Sequence, residues 1–375
     1  MHSEPIWRGV ESLLDKYAKV SQGDTALVLY TSDCYEPAAW VSVGLNLRGV
    51  DTRRVWMAPL VDPGFSNRLM QELPLPLSQR LVVLSFERDT MSHTNELAAA
   101  LSRYPREQYV VLRMISASPE VFCDALTPTP QELSARNASI LNRCMSAKQL
   151  HITTPGGTDI HVALDKKYRW ISNRGAARPG GTIILPAGEV ATYPASVSGT
   201  FVSDFAFNVN TITDRDARLN KHPAVIRLEA GKVVEFECPD ERTERFLGEC
   251  FAMEHACNIG ELGFGTNFGI NEPIALNSHM NERRPGVHLG FGQHNQEEML
   301  VNYECQVHLD LIARGGTIWI DEDVNPIDLE SINPSSSSHP LHVRDEDVFS
   351  PGSEEPIDQD CCGLFHKNGQ PPCIS

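Results

Sequence analysis

The sequence predicts an α/β protein: an N-terminal doubly wound parallel-sheet domain, then a β-rich α+β domain carrying a candidate metal site. Three observations predict it. Short apolar runs alternate with helical patterns up to residue 147. From residue 148 the pattern changes to polar–apolar alternation broken at glycines. Between Asn258 and Asp323, single glutamate, histidine and aspartate residues sit inside apolar, Gly-bounded segments. Strand–helix alternation with apolar strands is the signature of a parallel sheet covered on both faces, and alternation around glycine turns that of antiparallel hairpins.

In chain order, Ile6, Trp7, Val10, Leu13, Leu14 and Tyr17 recur at helical spacing. TALVLY (25–30) reads as a buried strand, and the stretch from Glu36 to Gly49 as a helix closed by its glycine. A strand over 55–60, a helix over Ser66 to Leu73, a strand over 80–86, a helix over Thr94 to Tyr104 and a strand over 108–115 follow. No Gly-x-Gly-x-x-Gly or Walker loop accompanies them, so this domain (1–147) reads as scaffold rather than nucleotide site. Pro130 sits at the first turn of a connecting helix. In the second domain (148–330), hairpins turn at Pro155-Gly156-Gly157 and at Ala230-Gly231, strands are expected over 182–194 and 199–210, and the clear helix is 241–256. Residues 331–375 are rich in Ser, Pro and acid and read as a poorly ordered tail or a surface strap, whose histidines 339, 342 and 366 are taken as solvated.

Bulk properties narrow the function. The 375 residues exceed one compact core, and 49 acidic against 32 basic residues give a net charge of −17, which argues against nucleic acid or an anionic membrane as partner. The 10 cysteines lack any C-x-x-C spacing, and no signal pattern or membrane span is evident. Reduced thiols and a cytoplasmic location are the expectation.

His308 and Asp310, two apart, must share one face of a strand. Glu261 is the only charge in NIGELGFG and His288 the only ionisable group in PGVHLGFG. Imidazole with carboxylate suits a borderline divalent cation: zinc, manganese, cobalt or iron, one or two per chain. Glu189 follows Gly188 in LPAGEV, where the glycine permits a turn aiming the glutamate inward. Glu282 is a candidate acid or base, with pairing to Arg283 or Arg284 as its default. His255, His279 and His294 are spares that the pattern does not single out.

The series LPAGEV, IGELGFGTN, GVHLGFG and VHLD, in this order, resembles the aminopeptidase T family of metallopeptidases. The resemblance implies two metal ions, a typically dimeric enzyme with an N-terminal α/β domain and a β-rich catalytic domain, and Glu189, Glu261, His288, His308 and Asp310 as ligands. It implies a metal-dependent hydrolase acting on a peptide or amide, with Glu189 or Glu282 shuttling the proton. The chain departs from the pattern where Gly188-Glu189 replaces two adjacent glutamates, where Asn295 replaces a tyrosine, and where no Gly-Gly precedes the His-x-Asp. It is also similar to iron-dependent 2,5-dihydroxypyridine ring-cleaving dioxygenases, whose two histidines and aspartate would map to Glu261, His308 and Asp310. A third similarity is to peptide-binding proteins of crocagin-type biosynthesis, which implies a peptide-holding protein with a degenerate peptidase site.

Overall fold

The structure is a computed structural model describing residues 3–88 and 92–341. Helix α1 (Ser3–Ser12) precedes β1 (Thr25–Tyr30), α2 (Tyr35–Leu47), β2 (Asp51–Trp56), α3 (Phe65–Glu72), β3 (Leu81–Glu87), α4 (Thr94–Leu101) and β4 (Tyr109–Ile115). Helix α5 (Pro130–Cys144) connects to β5 (Gln149–Thr153), β6 (Asp159–Ala163), β7 (Trp170–Asn173), β8 (Thr182–Leu185), β9 (Glu189–Thr192), β10 (Ser196–Ser203) and β11 (Ala206–Val209). Then come β12 (Ala224–Glu229), β13 (Lys232–Glu237), α6 (Glu241–Phe251), β14 (Ile259–Gly265), α7 (His279–Arg283), β15 (Gly286–Gly292), β16 (His308–Ile312), β17 (Thr317–Ile320) and β18 (Ile327–Asp328).

The first sheet is wholly parallel, in the order β2-β1-β3-β4-β8. Strand β3 is buried along its length, as a central strand covered on both faces must be. Edge strand β2 differs from the sequence expectation. It begins at Asp51 and stops before Pro59, because an edge strand needs only Val55 inward and proline cannot continue a ladder. A second difference matters more. The single stretch expected over 182–194 splits, and β8 joins the parallel sheet beside β4 while β9 joins an antiparallel sheet. Only Pro186, Ala187 and Gly188 separate the two strands, so the chain crosses from scaffold to site sheet in one short step.

Helix α5 is closed by a capping box, in which Thr129 accepts from the Glu132 amide while the Glu132 carboxylate accepts from the Thr129 amide. The remaining strands form two antiparallel sheets, β13-β12-β10-β6-β5-β17-β18 and β11-β16-β15-β14-β9-β7. Their facing sides share one apolar core in which Ile152, Ile160, Phe201 and Ile226 meet Leu262, Phe264, Leu289 and Leu309. The other face of the six-stranded sheet looks toward the parallel-sheet half. Helix α7 packs there through Met280, which belongs to the core of that half. The Ser116 hydroxyl donates to the Asn277 carbonyl at 2.6 Å, fixing the segment that precedes α7.

Residues 331–341 run as a strap along α5. The Ser335 amide donates to the Ala135 carbonyl, and the Ser139 hydroxyl to the Asn333 carbonyl. His339 is not solvated as expected: it is half-buried, with Nε2 3.1 Å from the Ser172 hydroxyl. His342, His366 and the rest of the tail lie outside the described residues. Among the described residues no helix is long and apolar enough to cross a membrane, and their seven cysteines are all free thiols.

Candidate metal centre

Strand register decides which side chains meet. Across β14 and β15, Glu261 lies opposite Gly290 and Gly263 opposite His288. Across β15 and β16, Gly290 lies opposite Asp310 and Gly292 opposite His308. On the other flank Gly265 is opposite Glu189, and beyond β16 Asn208 is opposite Asp310. Directly opposed residues project to the same face. All five expected ligands therefore share one face, while Val190, Leu262, Phe264, Val287, Leu289, Phe291, Leu309 and Leu311 alternate into the core behind it.

Glycines make the room. A Cβ on Gly263 would stand 2.0 Å from His288 Nε2, and one on Gly290 would stand 2.9 Å from both Asp310 Oδ1 and Glu261 Cβ. A β-bulge at Gly260 shifts the register just before Glu261. The functional side chains thus lie flat in hollows that any other residue would fill.

The cluster is buried and dense in charge. Glu189, Glu261, Glu282 and Asp310 are each 4% exposed or less. His288 Nε2 is 2.9 Å from Glu189 Oε1 and 3.4 Å from Glu261 Oε1, and His308 Nε2 is 3.2 Å from Asp310 Oδ1. Donor atoms of Glu189, Glu261 and His288 lie within 4.8 Å of one another, as do those of Glu261, His308 and Asp310; the two triplets share Glu261. His288 Nδ1 has no hydrogen-bond partner, whereas His308 Nδ1 lies 3.1 Å from the Gln293 carbonyl, the type of contact that orients a ligating imidazole.

Burial raises Asp310 most strongly, and the nearby Glu282 charge adds to it, so that the carboxyl is pushed up to about 7 against the lowering pull of His308. Burial likewise raises Glu261. For His308 burial works downward, but Asp310, Glu261 and Glu282 outweigh it and hold the imidazole well above its ordinary value. His288 is raised in the same way by Glu189 and Glu261. Buried excess negative charge must gather protons or a cation. The donor set, the glycine hollows and this charge all fit a divalent metal ion.

Glu282 is placed differently. Its Oε1 is 2.7 Å from Arg283, and its Oε2 accepts from the Asn208 amide at 2.9 Å. Burial pushes it up, yet Arg283 and the neighbouring histidines outweigh burial and keep it well below the carboxylate range. The default pairing with Arg283 is met, while Arg284 turns away to Glu330 at 2.6 Å. Among the spares, His255 is exposed and His294 lies 2.9 Å from the Tyr303 carbonyl. His279 is buried on α7, and burial pushes it down to about 4, so it is a neutral neighbour of Glu282 and Glu189.

Sequence reading did not name Asn208, and it named Arg283, Asn295 and His279 without placing them at the site. Asn295 Nδ2 lies 3.5 Å from Glu261 Oε2, in the place where a tyrosine was expected. Nothing local marks these residues, because each reaches the cluster from a separate segment. Gly188 explains another departure: at φ 114° a Cβ would come within 2.7 Å of Asn267 Cβ and 2.9 Å of its backbone nitrogen, so no glutamate fits there. A third, exposed group of His151, Asp159 and His161 lies on the β5–β6 hairpin. A cleft lined by Arg215, Lys221, Arg242 and Phe246 shares no residue with the buried cluster.

A parallel-sheet half joined to an antiparallel sheet that carries a buried imidazole–carboxylate cluster defines an α/β frame suited to metal chemistry. Comparison with known proteins agrees. The sequence model of the family described as thermophilic metalloprotease (M29) matches residues 128–306. No curated protein matches the chain. Among solved structures, 2,5-dihydroxypyridine dioxygenase from Pseudomonas putida KT2440 is 15% identical with a TM-score of 0.57, over 86% of this chain and 95% of that one. Wild-type AmpT from Thermus thermophilus is 14% identical with a TM-score of 0.56, over 88% of this chain and 98% of that one. At these identities the shared property is the fold. Two of the three resemblances, to the aminopeptidase T family and to the dioxygenase, are thus recovered.

Proposed function

We propose that the protein is a metal-dependent hydrolase acting on a peptide or amide bond, with its centre among Glu189, Glu261, His288, His308 and Asp310. The observation that carries this reading is register. Side chains from four strands meet on one glycine-hollowed face; Glu189, Glu261 and His288 fall within the segment that matches a metalloprotease family, and His308 and Asp310 lie just beyond its end. A bound divalent cation supplies a Lewis acid for the scissile carbonyl and brings water to a pKa of about 7.

The chain's own residues supply the rest. In this reading Glu189, whose Oε1 lies 2.9 Å from His288 Nε2, carries the proton toward the leaving amine. Glu282, anchored by Arg283 and Asn208, stays ionised and acts as a fixed negative charge rather than a proton carrier. The same reading carries a cytoplasmic homodimer and a peptide or similar small-molecule substrate.

The test is hydrolysis of aminoacyl anilides and short peptides by metal-stripped protein, before and after adding zinc, manganese or cobalt. Turnover that depends on added metal and vanishes in His308→Ala supports the reading. Metal-free protein that binds peptide without turnover would favour the peptide-holding alternative, and oxygen-dependent ring cleavage with a single iron would favour the dioxygenase one.

A further inference from the structure

We infer that the Arg283 guanidinium is a built-in counter-cation standing at one of two potential cation positions, so that the chain takes a single divalent ion, held by Glu261, His308 and Asp310. This deepens the hydrolase reading and rests on it.

The two donor triplets, overlapping at Glu261, are what a pair of cations bridged by one carboxylate would require. Arg283 makes them unequal. It is among the largest fully buried side chains, 1% exposed. Its NH1 contacts Glu189 Oε2 and lies 2.7 Å from Glu282 Oε1, while Nε donates to the Pro186 carbonyl at 3.2 Å. The second oxygen of Glu189 is already 2.9 Å from His288 Nε2. Both oxygens of that glutamate are therefore engaged by protein groups of this chain.

The other triplet is less encumbered. His308 and Asp310 touch each other, and Glu261 meets His288 and the Asn295 amide, the latter at a long 3.5 Å. The ion pairs of Glu261 and Asp310 are with imidazoles, His288 at 3.4 Å and His308 at 3.2 Å. The guanidinium, which does not deprotonate, already offsets one of the four buried carboxylates Glu189, Glu261, Glu282 and Asp310. Chain geometry makes the substitution possible. Arg283 ends α7, a short helix capped by Ser278, three residues before β15 begins, and this brings its head group beside the β8–β9 crossing.

The experiment is titration of metal-stripped, full-length protein with cobalt(II), followed by calorimetry and by visible absorption. A His151→Ala/His161→Ala background removes the exposed trio. The expected result is one ion per chain. Arg283→Met raises this to two, Glu189→Gln leaves the affinity within about threefold, and Asp310→Asn weakens it by more than about tenfold. Should Arg283→Met fail to fold, the parent stoichiometry and the contrast between Glu189→Gln and Asp310→Asn decide. Two ions per parent chain, or equal losses in those two variants, overturn the inference but leave the hydrolase reading standing. No bound ion at all overturns both.

Discussion

Gly290 lies directly opposite Asp310 across β15 and β16, and a single methyl group on it would stand 2.9 Å from the aspartate Oδ1. The same methyl would stand 3.0 Å from His308 Cε1. The centre is thus defined as much by absent side chains as by present ones. Gly290→Ala is expected to cost about 1–3 kcal/mol in overpacking and to weaken cation binding by more than about tenfold. Denaturant unfolding and metal titration check this. Gly248→Ala in α6 is the control: the nearest heavy atom is 3.6 Å away, and the change should stabilise by about 0.5–1 kcal/mol.

His308→Ala removes an imidazole held between Asp310 and the Gln293 carbonyl. Cation uptake should fall at least about tenfold, with activity lost alongside. The metal-free variant stays folded, because Asp310, already pushed up to about 7, takes a proton in place of its lost partner. Circular dichroism and elemental analysis of the purified variant provide the readout.

Restoring a second acid by Gly188→Glu should harm rather than help. The backbone there has φ 114° and faces Asn267 at close range, so the strain is about 1–3 kcal/mol. A variant as stable as the parent would show that the departure at this position has no structural cause.

The strap should respond to acid. Burial, aided by the Arg174 charge, pushes His339 down from 6.5 to about 4. Its folded value is depressed, so between these values the released state binds more protons than the docked one, and docking weakens as pH falls. The protection factors of the 331–341 amides, taken relative to the intrinsic exchange rate at each pH, should fall between about pH 6.5 and pH 4, and His339→Asn should flatten that dependence.

Much of this was legible in the chain. The period of two placed His308 and Asp310 on one face, and lone charges in Gly-bounded apolar runs marked Glu261 and His288. Register between strands was not legible, since it depends on pairings formed over long sequence separations. Strand β8 shows why: an isolated apolar run carries no mark of whether its partner runs parallel or antiparallel, and TIIL went to the scaffold sheet. Arg283 was hidden for a related reason. It read as the neighbour of Glu282, and its contact with Glu189 exists only because α7 and the β8–β9 crossing fold against each other. His339 read as solvated because tail composition says nothing about docking onto α5 and β7.

Anomalous diffraction at the zinc edge, from crystals grown with zinc, tests the buried site directly. A peak is expected at bonding distance, about 2.0–2.2 Å, from a carboxylate oxygen of Glu261, an oxygen of Asp310 and an imidazole nitrogen of His308. Anomalous density at the exposed His151–Asp159–His161 group alone, with none on the glycine-hollowed face, would contradict it.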